Sequence, residues 1–249
     1  MDRYKIIVAY DGTAYSGWQQ QSESVAVSNR LEKTFAQVFG QSINLLAASR
    51  TDAGVHALGQ VALFSTDLTI DKQSLLKAWN NRLPSDIYIR SIEHVNDSFH
   101  PHYAVDEKIY WYHVFSSRPL PFAARYGYHM RYQYCTEKLF NALQVFVGTH
   151  DFRSFCTGTD YHSTVRSIDQ INVTYLHRWN AHRIEVRGPK FLRYMIRRIV
   201  GAALEIASRP ELSIDYLNNI FIANDPNHTL PCAPAHGLML AKIKYRSQE

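Results

Sequence analysis

Apolar and polar positions alternate from Arg3 to Asp11, with Tyr4, Ile6, Val8 and Tyr10 on one side and Lys5, Ile7 and Ala9 on the other, which predicts a strand. The period then changes. Val27, Leu31, Phe35, Val38 and Phe39 recur at helical spacing and Gly40 follows as a C-cap. An apolar run from Ile43 to Ala48 and another from Gln60 to Phe64 predict two strands around a polar turn. Asp71 is placed to N-cap a helix burying Leu75, Leu76, Trp79 and Leu83 and stopped at Pro84, and Ile87–Val95 alternates again. The order is strand, helix, strand, strand, helix, strand, the split βαβ or ferredoxin-like arrangement.

A connector containing Phe99-His100-Pro101-His102 leads to a second series. Lys108–Phe115 reads as a strand with Tyr110, Tyr112 and Val114 on one face and Trp111 on the other. Thr136 is expected to cap a helix with Leu139, Phe140 and Leu143, ended by Gly148. Asp169–Leu176 and His182–Arg187 read as strands, Lys190–Ala207 as a long helix, Ser213–Ile222 as another, and Gly237–Tyr245 as the last strand. The second half repeats the order of the first. The expected fold is α+β: two ferredoxin-like (RRM-like) subdomains, residues 1–104 and 105–249, sharing one extended antiparallel sheet with helices on one face. An uncovered sheet face of that kind suits nucleic acid.

In the long helix, Leu192, Met195, Ile196, Ile199, Val200 and Ala203 fall on one arc and form its core face. Arg197 sits beside that arc, Arg193 shares its edge, and Arg198 is expected to point to solvent. Gly201, one turn beyond Arg197, lets another segment approach closely. An arginine at a core margin calls for an acidic or phosphate partner, unless it snorkels to a stray carboxylate.

Composition narrows the partner. The 249 residues include 46% hydrophobic ones, enough for one large domain or two modest cores. No apolar run is long enough to span a bilayer and the N-terminus lacks a signal peptide's apolar region, so a cytoplasmic protein is expected. Cys135, Cys156 and Cys232 are odd in number and widely spaced, which favours reduced, mostly buried thiols over disulfides or zinc. A net charge of +5 with 16 tyrosines suits a polyanion whose bases can stack on rings.

The polar turn Ser49-Arg50-Thr51-Asp52-Ala53-Gly54-Val55-His56-Ala57 holds the candidate chemistry. A charged pair on a loop between rigid strands is a common way to build a reacting site, though an ordinary surface turn with a solvated ion pair has the same residues. The preceding loop, Tyr15 to Gln21, fits either a structural loop with Trp18 packed on the core or a loop that touches nucleotide.

Several separated segments together resemble the tRNA pseudouridine synthase A family. They are Tyr10-Asp11-Gly12-Thr13 with Tyr15, Gly17-Trp18-Gln19 and Gln21; Arg50 through Ala57; Phe99-His100 with Tyr110 and Tyr112; His150-Asp151-Phe152 with Ser154-Phe155; Phe191-Leu192 with Met195, Arg197, Val200 and Gly201; and Ala233-Pro234 with Gly237-Leu238. They cover nearly the full length in the family's order. Ser49 departs from a usual glycine, Ser28 from a glutamine, and Pro101-His102 from an Ala-Arg pair, removing a cation where RNA contact is expected.

The resemblance implies an isomerase that converts uridine to pseudouridine in the anticodon stem-loop of tRNA, with the pseudouridine synthase fold, a homodimer and no cofactor. A non-catalytic RNA-binding protein or chaperone on the same fold is the alternative. By the same resemblance Asp52 starts the reaction, Arg197 keeps it ionised, and Tyr110 stacks on the base and relays a proton. Arg50 then grips phosphate or wedges at the flipped base, Tyr112 packs, and His56 fixes the turn.

Overall fold

The computed structural model describes residues 1–19, 25–103, 105–158 and 161–246. Gln20 and Gln21 of the aromatic loop lie outside the described residues. The chain parts into two compact units, residues 1–106 with 239–249, and residues 107–238.

The first unit follows the expected order: β1 (Asp2–Tyr10), α1 (Val27–Phe39), β2 (Leu46–Ala47), β3 (His56–Thr66), α2 (Lys72–Asn80) and β4 (Ile87–His94). β1 lies between β4 and β3, antiparallel to both, with Ile6 opposite Ile92 on one side and Ala62 on the other; β2 pairs with the far edge of β3. Ile6, Val8, Leu31, Phe35, Phe64, Leu75 and Trp79 are buried. The rings of Phe35, Phe64 and Trp79 meet edge-on at 4.8–5.6 Å, and the Trp79 indole N–H donates to the Leu31 carbonyl at 3.2 Å. Both helices therefore cover one face of these strands. Gly40 ends α1 in the left-handed region at φ 69°, and Asp71 caps α2 by accepting from the N–H groups of Gln73 and Ser74.

The second unit holds β5 (Val105–Phe115, whose first two residues belong to the first unit), β6 (Tyr128–His129), α3 (Thr136–Gln144), β7 (Gly148–Asp151), β8 (Val165–Ile168), β9 (Gln170–Leu176), β10 (Ala181–Gly188), α4 (Met195–Ser208) and α5 (Ile214–Ala223). β10 runs antiparallel to both β5 and β9, with Val186 opposite Tyr110 and Ile171. β7 and β8 form a separate hairpin. One face of β5 and β10 buries Tyr110, Tyr112, Val114, Ile184 and Val186. The opposite face carries Trp111, His113, Arg183 and Glu185. There the Arg183 guanidinium lies 3.9 Å over the Trp111 ring, whose N–H donates to Glu185. Phe146, Phe152, Phe155 and Phe221 form an aromatic cluster of the α5 side, with centroids 4.8–6.5 Å apart. The last strand, β11 (Leu238–Tyr245), returns to the first unit and pairs parallel to β3, Met239 opposite His56 and Leu240 opposite Ala57. A division at residue 104 differs in this respect, because it leaves that strand with the second half.

Several local expectations change. The strand expected from Ile43 shrinks to Leu46–Ala47. Cys135, not Thr136, occupies the N-cap of α3, and Phe140 is exposed. Cys156 alone of the three thiols is buried. The long helix starts at Met195, not Lys190, because Tyr194 adopts a left-handed φ of 62°. Leu192 is buried in line with the helix's apolar arc although it lies in the preceding turn, so the periodic signal outran the helix. Arg193 is accordingly off the helix. Arg198 does not point to solvent: its guanidinium donates to the Ser154 and Cys156 carbonyls at 3.2 and 2.9 Å. Among the described residues no helix is long and apolar enough to cross a membrane.

Candidate active site

The Asp52 turn is held by the loop that follows β1. Thr51 is buried, and its hydroxyl sits 2.8 Å from the Tyr10 phenol. The Thr51 carbonyl accepts from the Trp18 N–H at 3.3 Å, and the Gly54 N–H donates to the Tyr15 carbonyl at 3.1 Å. The Val55 N–H closes the turn by donating to the Asp52 carbonyl at 3.2 Å. Bonds on both sides of Asp52 thus fix its backbone, while its side chain is only half-buried.

Two glycines make this contact possible. A Cβ on Gly12 would stand 2.0 Å from the Val55 carbonyl oxygen, and one on Gly17 would stand 2.3 Å from that of Thr51. Gly17 also needs a positive φ of 103°, which L side chains rarely adopt. Trp18 is 2% exposed and packs 6.0 Å from Tyr10, so it is a core residue of this cradle.

His56 begins β3 at 1% exposure. Its Nδ1 accepts from the Gly12 N–H at 3.0 Å and lies 3.1 Å from an Asp11 carboxylate oxygen. The two contacts compete, since Nδ1 must be bare to accept and protonated to form an ion pair. Asp11 also accepts from the Thr13 N–H and hydroxyl, so accepting from Gly12 better fits the backbone donor. His56 thus fixes the turn, as its neighbours in sequence suggested. Arg50 is exposed on the other flank of Asp52. Ser49, which departs from the glycine that the resemblance implies, is buried and its carbonyl accepts from the Gln60 amide at 2.6 Å. Ser28 is buried too, with its N–H donating to the Trp18 carbonyl at 3.0 Å.

In the second unit the site residues converge on one segment, 231–237. Arg197 donates from Nε to the Ala233 carbonyl at 2.8 Å, and the Ala233 N–H donates back to the Arg197 carbonyl at 3.0 Å. This close run depends on Gly201, where a Cβ would meet the Pro231 carbonyl oxygen at 2.0 Å. The guanidinium also lies 5.0 Å over the Tyr194 ring. Tyr112, fully buried, donates its hydroxyl to the next carbonyl, Pro234, at 2.9 Å. Burial pushes the Tyr112 phenol well above the usual tyrosine range, against the lowering effect of the Arg197 charge. Tyr110, two residues earlier on the same face of β5, is 5% exposed and meets Phe191 edge-on at 5.3 Å.

The structure therefore places Tyr112 and Arg197 on a shared frame in the second unit, with Tyr110 on the same strand face as Tyr112, and Arg50 and Asp52 on a braced turn of the first. Lys108 shares the Tyr110 face and is 9% exposed. Its desolvation, with the nearby Lys190 charge, brings its ammonium down to about 8. Sequence reasoning missed Lys108. The signal was present, since a lysine alternating with Tyr110 and Tyr112 must face the buried side.

The chain matches the family described as tRNA pseudouridine synthase over residues 6–104 and 142–246. It is 34% identical to the tRNA pseudouridine synthase A of Thermodesulfovibrio yellowstonii, covering 98% of this chain and 100% of that protein. The protein of the same name from Pseudothermotoga lettingae is 35% identical over 98% of this chain and 100% of its own length. That of Chlamydia abortus is 36% identical over 98% and 92%. With such identity across almost the whole of each protein, and a family match that reaches into both units, the chain belongs to the tRNA pseudouridine synthase family.

Proposed function

We propose that Asp52 is the reacting carboxylate of this uridine isomerase, with Arg197 as its counter-charge, Tyr110 as the ring beneath the target base, and Arg50 as a grip on the RNA backbone. The observation that carries the reading is the bracing of the Asp52 turn: bonds to Thr51, Gly54 and Val55 hold the backbone on both sides of a half-buried carboxylate. A side chain held in that way keeps its aim through a reaction.

The reaction breaks the N1–C1′ bond of uridine and forms a C5–C1′ bond. The C5 proton leaves and N1 gains one, so the product has the substrate's atoms. Asp52 has two routes open to it: nucleophilic addition to the sugar or base, or removal of the C2′ proton as uracil departs to leave a glycal. Either requires an ionised carboxylate. Burial opposes ionisation and a neighbouring guanidinium restores it. Arg197, held by the Ala233 carbonyl and by the Tyr194 ring, is a fixed charge suited to that task. The target base must leave its stack to reach the site. The Tyr110 ring is suited to receive it and the phenol to take up the C5 proton.

The finer reading is a uridine of the tRNA anticodon stem-loop as target, a homodimer as the working form, and the cytoplasm as its place. The net charge of +5 and the tRNA-modifying relatives support the RNA part of it. Asp52→Asn tests the assignment. The purified variant stays folded, keeps its tRNA affinity and loses pseudouridine formation, measured by tritium release from C5-labelled tRNA. Turnover within tenfold of the unaltered protein would remove Asp52 from its role; an unaltered protein that binds tRNA without turnover would favour a binding role alone.

A further inference from the structure

The second unit has an open cavity of about 700 Å³ that the reaction as described does not use. That volume lies within the range of roughly 300–1,000 Å³ typical of small-ligand sites. Arg118, His129 and His236 line it with Pro119, Leu120 and Pro121, and among the described residues no carboxylate contributes to its wall. Arg125, exposed, follows on the same segment.

The wall is a built structure. The Ala123 and Ala124 N–H groups donate to the Leu120 carbonyl at 2.9 and 3.1 Å, and the Tyr126 N–H donates to that of Ala123 at 3.0 Å. Ala123 is buried in a small cluster with Phe115 and Ala181, and the Met130 N–H donates to the Phe115 carbonyl at 3.2 Å. The segment is thereby tied to β5 and β10.

We infer that this cavity is an RNA subsite, which takes a phosphodiester and the nucleotide attached to it, flanking the target uridine. Arginine and histidine donors suit a phosphate, and the flat apolar faces of prolines suit a sugar or base. Absence of a carboxylate in the wall favours an anion over a cation. His236 links this subsite to the candidate active site. It lies on the 231–237 segment whose Ala233 carbonyl holds Arg197 and whose Pro234 carbonyl holds Tyr112. A nucleotide seated beside His236 is therefore registered, through three residues of backbone, against Arg197, the proposed counter-charge, and against Tyr112, two residues along β5 from the proposed base ring Tyr110. The inference rests on the reading of the chain's activity given above.

The test compares the unaltered protein with Arg118→Ala, His236→Gln and Arg118→Lys. Titration of fluorescently labelled tRNA over a range of salt concentrations gives the slope of log Kd against log salt. Removing one phosphate contact lowers that slope by about one in Arg118→Ala and raises KM for tRNA about tenfold, whereas Arg118→Lys recovers most of both. His236→Gln weakens binding in the same direction. Slopes and KM values equal to the unaltered protein's in Arg118→Ala would overturn the subsite. So would a change of oligomeric state at constant slope, which would make the cavity an interface between copies. Loss of turnover by the unaltered protein bears on the catalytic reading alone, because the slope comparison needs only binding.

Discussion

Replacing Gly12 with alanine puts a methyl group 2.0 Å from the Val55 carbonyl oxygen and 2.6 Å from its carbon. Real Cβ contacts are essentially never closer than 3.0 Å, so one side must retreat by about 1 Å. The atoms met are backbone, and no flexible side chain can swing away. Val55 is the residue whose N–H closes the Asp52 turn at 3.2 Å, and the next residue, His56, receives the Gly12 N–H. The displacement therefore passes directly to the turn that aims Asp52. Overpacking of this sort costs about 1–3 kcal/mol of stability. A misplacement of about 1 Å at a reacting group costs on the order of 100-fold in rate, about 2.7 kcal/mol of barrier. Single-turnover pseudouridine formation with saturating tRNA measures the second effect, and urea unfolding the first. The expected variant is folded, binds tRNA, and is slowed about 100-fold. A rate within twofold of the unaltered protein's, with stability also unchanged, would refute the claim that close backbone contact at Gly12 sets the aim of Asp52.

Arg197→Met removes the Nε bond to Ala233 and the contact with the Tyr194 ring, and a lost charged bond of this type costs about 1.5–3 kcal/mol. A double-mutant cycle with Asp52→Asn, read by unfolding, isolates the proposed pair; additivity within about 0.5 kcal/mol would remove it. Lys108→Met is expected to stabilise the protein at neutral pH. The folded ammonium titrates at about 8 against 10.5 unfolded, so the unfolded chain binds the extra proton between those values and the unaltered protein gains stability as pH rises through that window. The difference corresponds to about 3 kcal/mol at pH 7, shrinks as pH rises from about 8 and is gone above 10.5. A melting temperature lowered by Lys108→Met at pH 7 would show that the charge is stabilising where it lies.

Elements with strong period and clear punctuation were legible from the chain alone. The alternation of Tyr4, Ile6, Val8 and Tyr10 became β1, and α1 runs from Val27 to the Gly40 cap as its spacing implied. Asp71 caps α2 for the reason that makes aspartate a good cap, a short acceptor within reach of free N–H groups. The start of α4 was not legible, because hydrophobic period reports burial and Leu192 is buried without being helical. Arg198 was misread because a position off the apolar arc can still face a neighbouring segment, here the carbonyls of Ser154 and Cys156.

The sequence by itself determined the strand and helix order of the first unit and the family, and through that resemblance it named Asp52, Tyr110 and Arg197 as candidates. The tertiary structure decided what holds them. Nothing in the sequence marks Gly12 and Gly17 as partners of Val55 and Thr51, which lie 43 and 34 positions further along, yet their missing side chains admit those carbonyls. The tie between Arg197, Ala233 and Tyr112 likewise joins residues far apart in the chain. Close approach between distant segments leaves no periodic trace, because it depends on where the backbone passes and on a side chain that is absent.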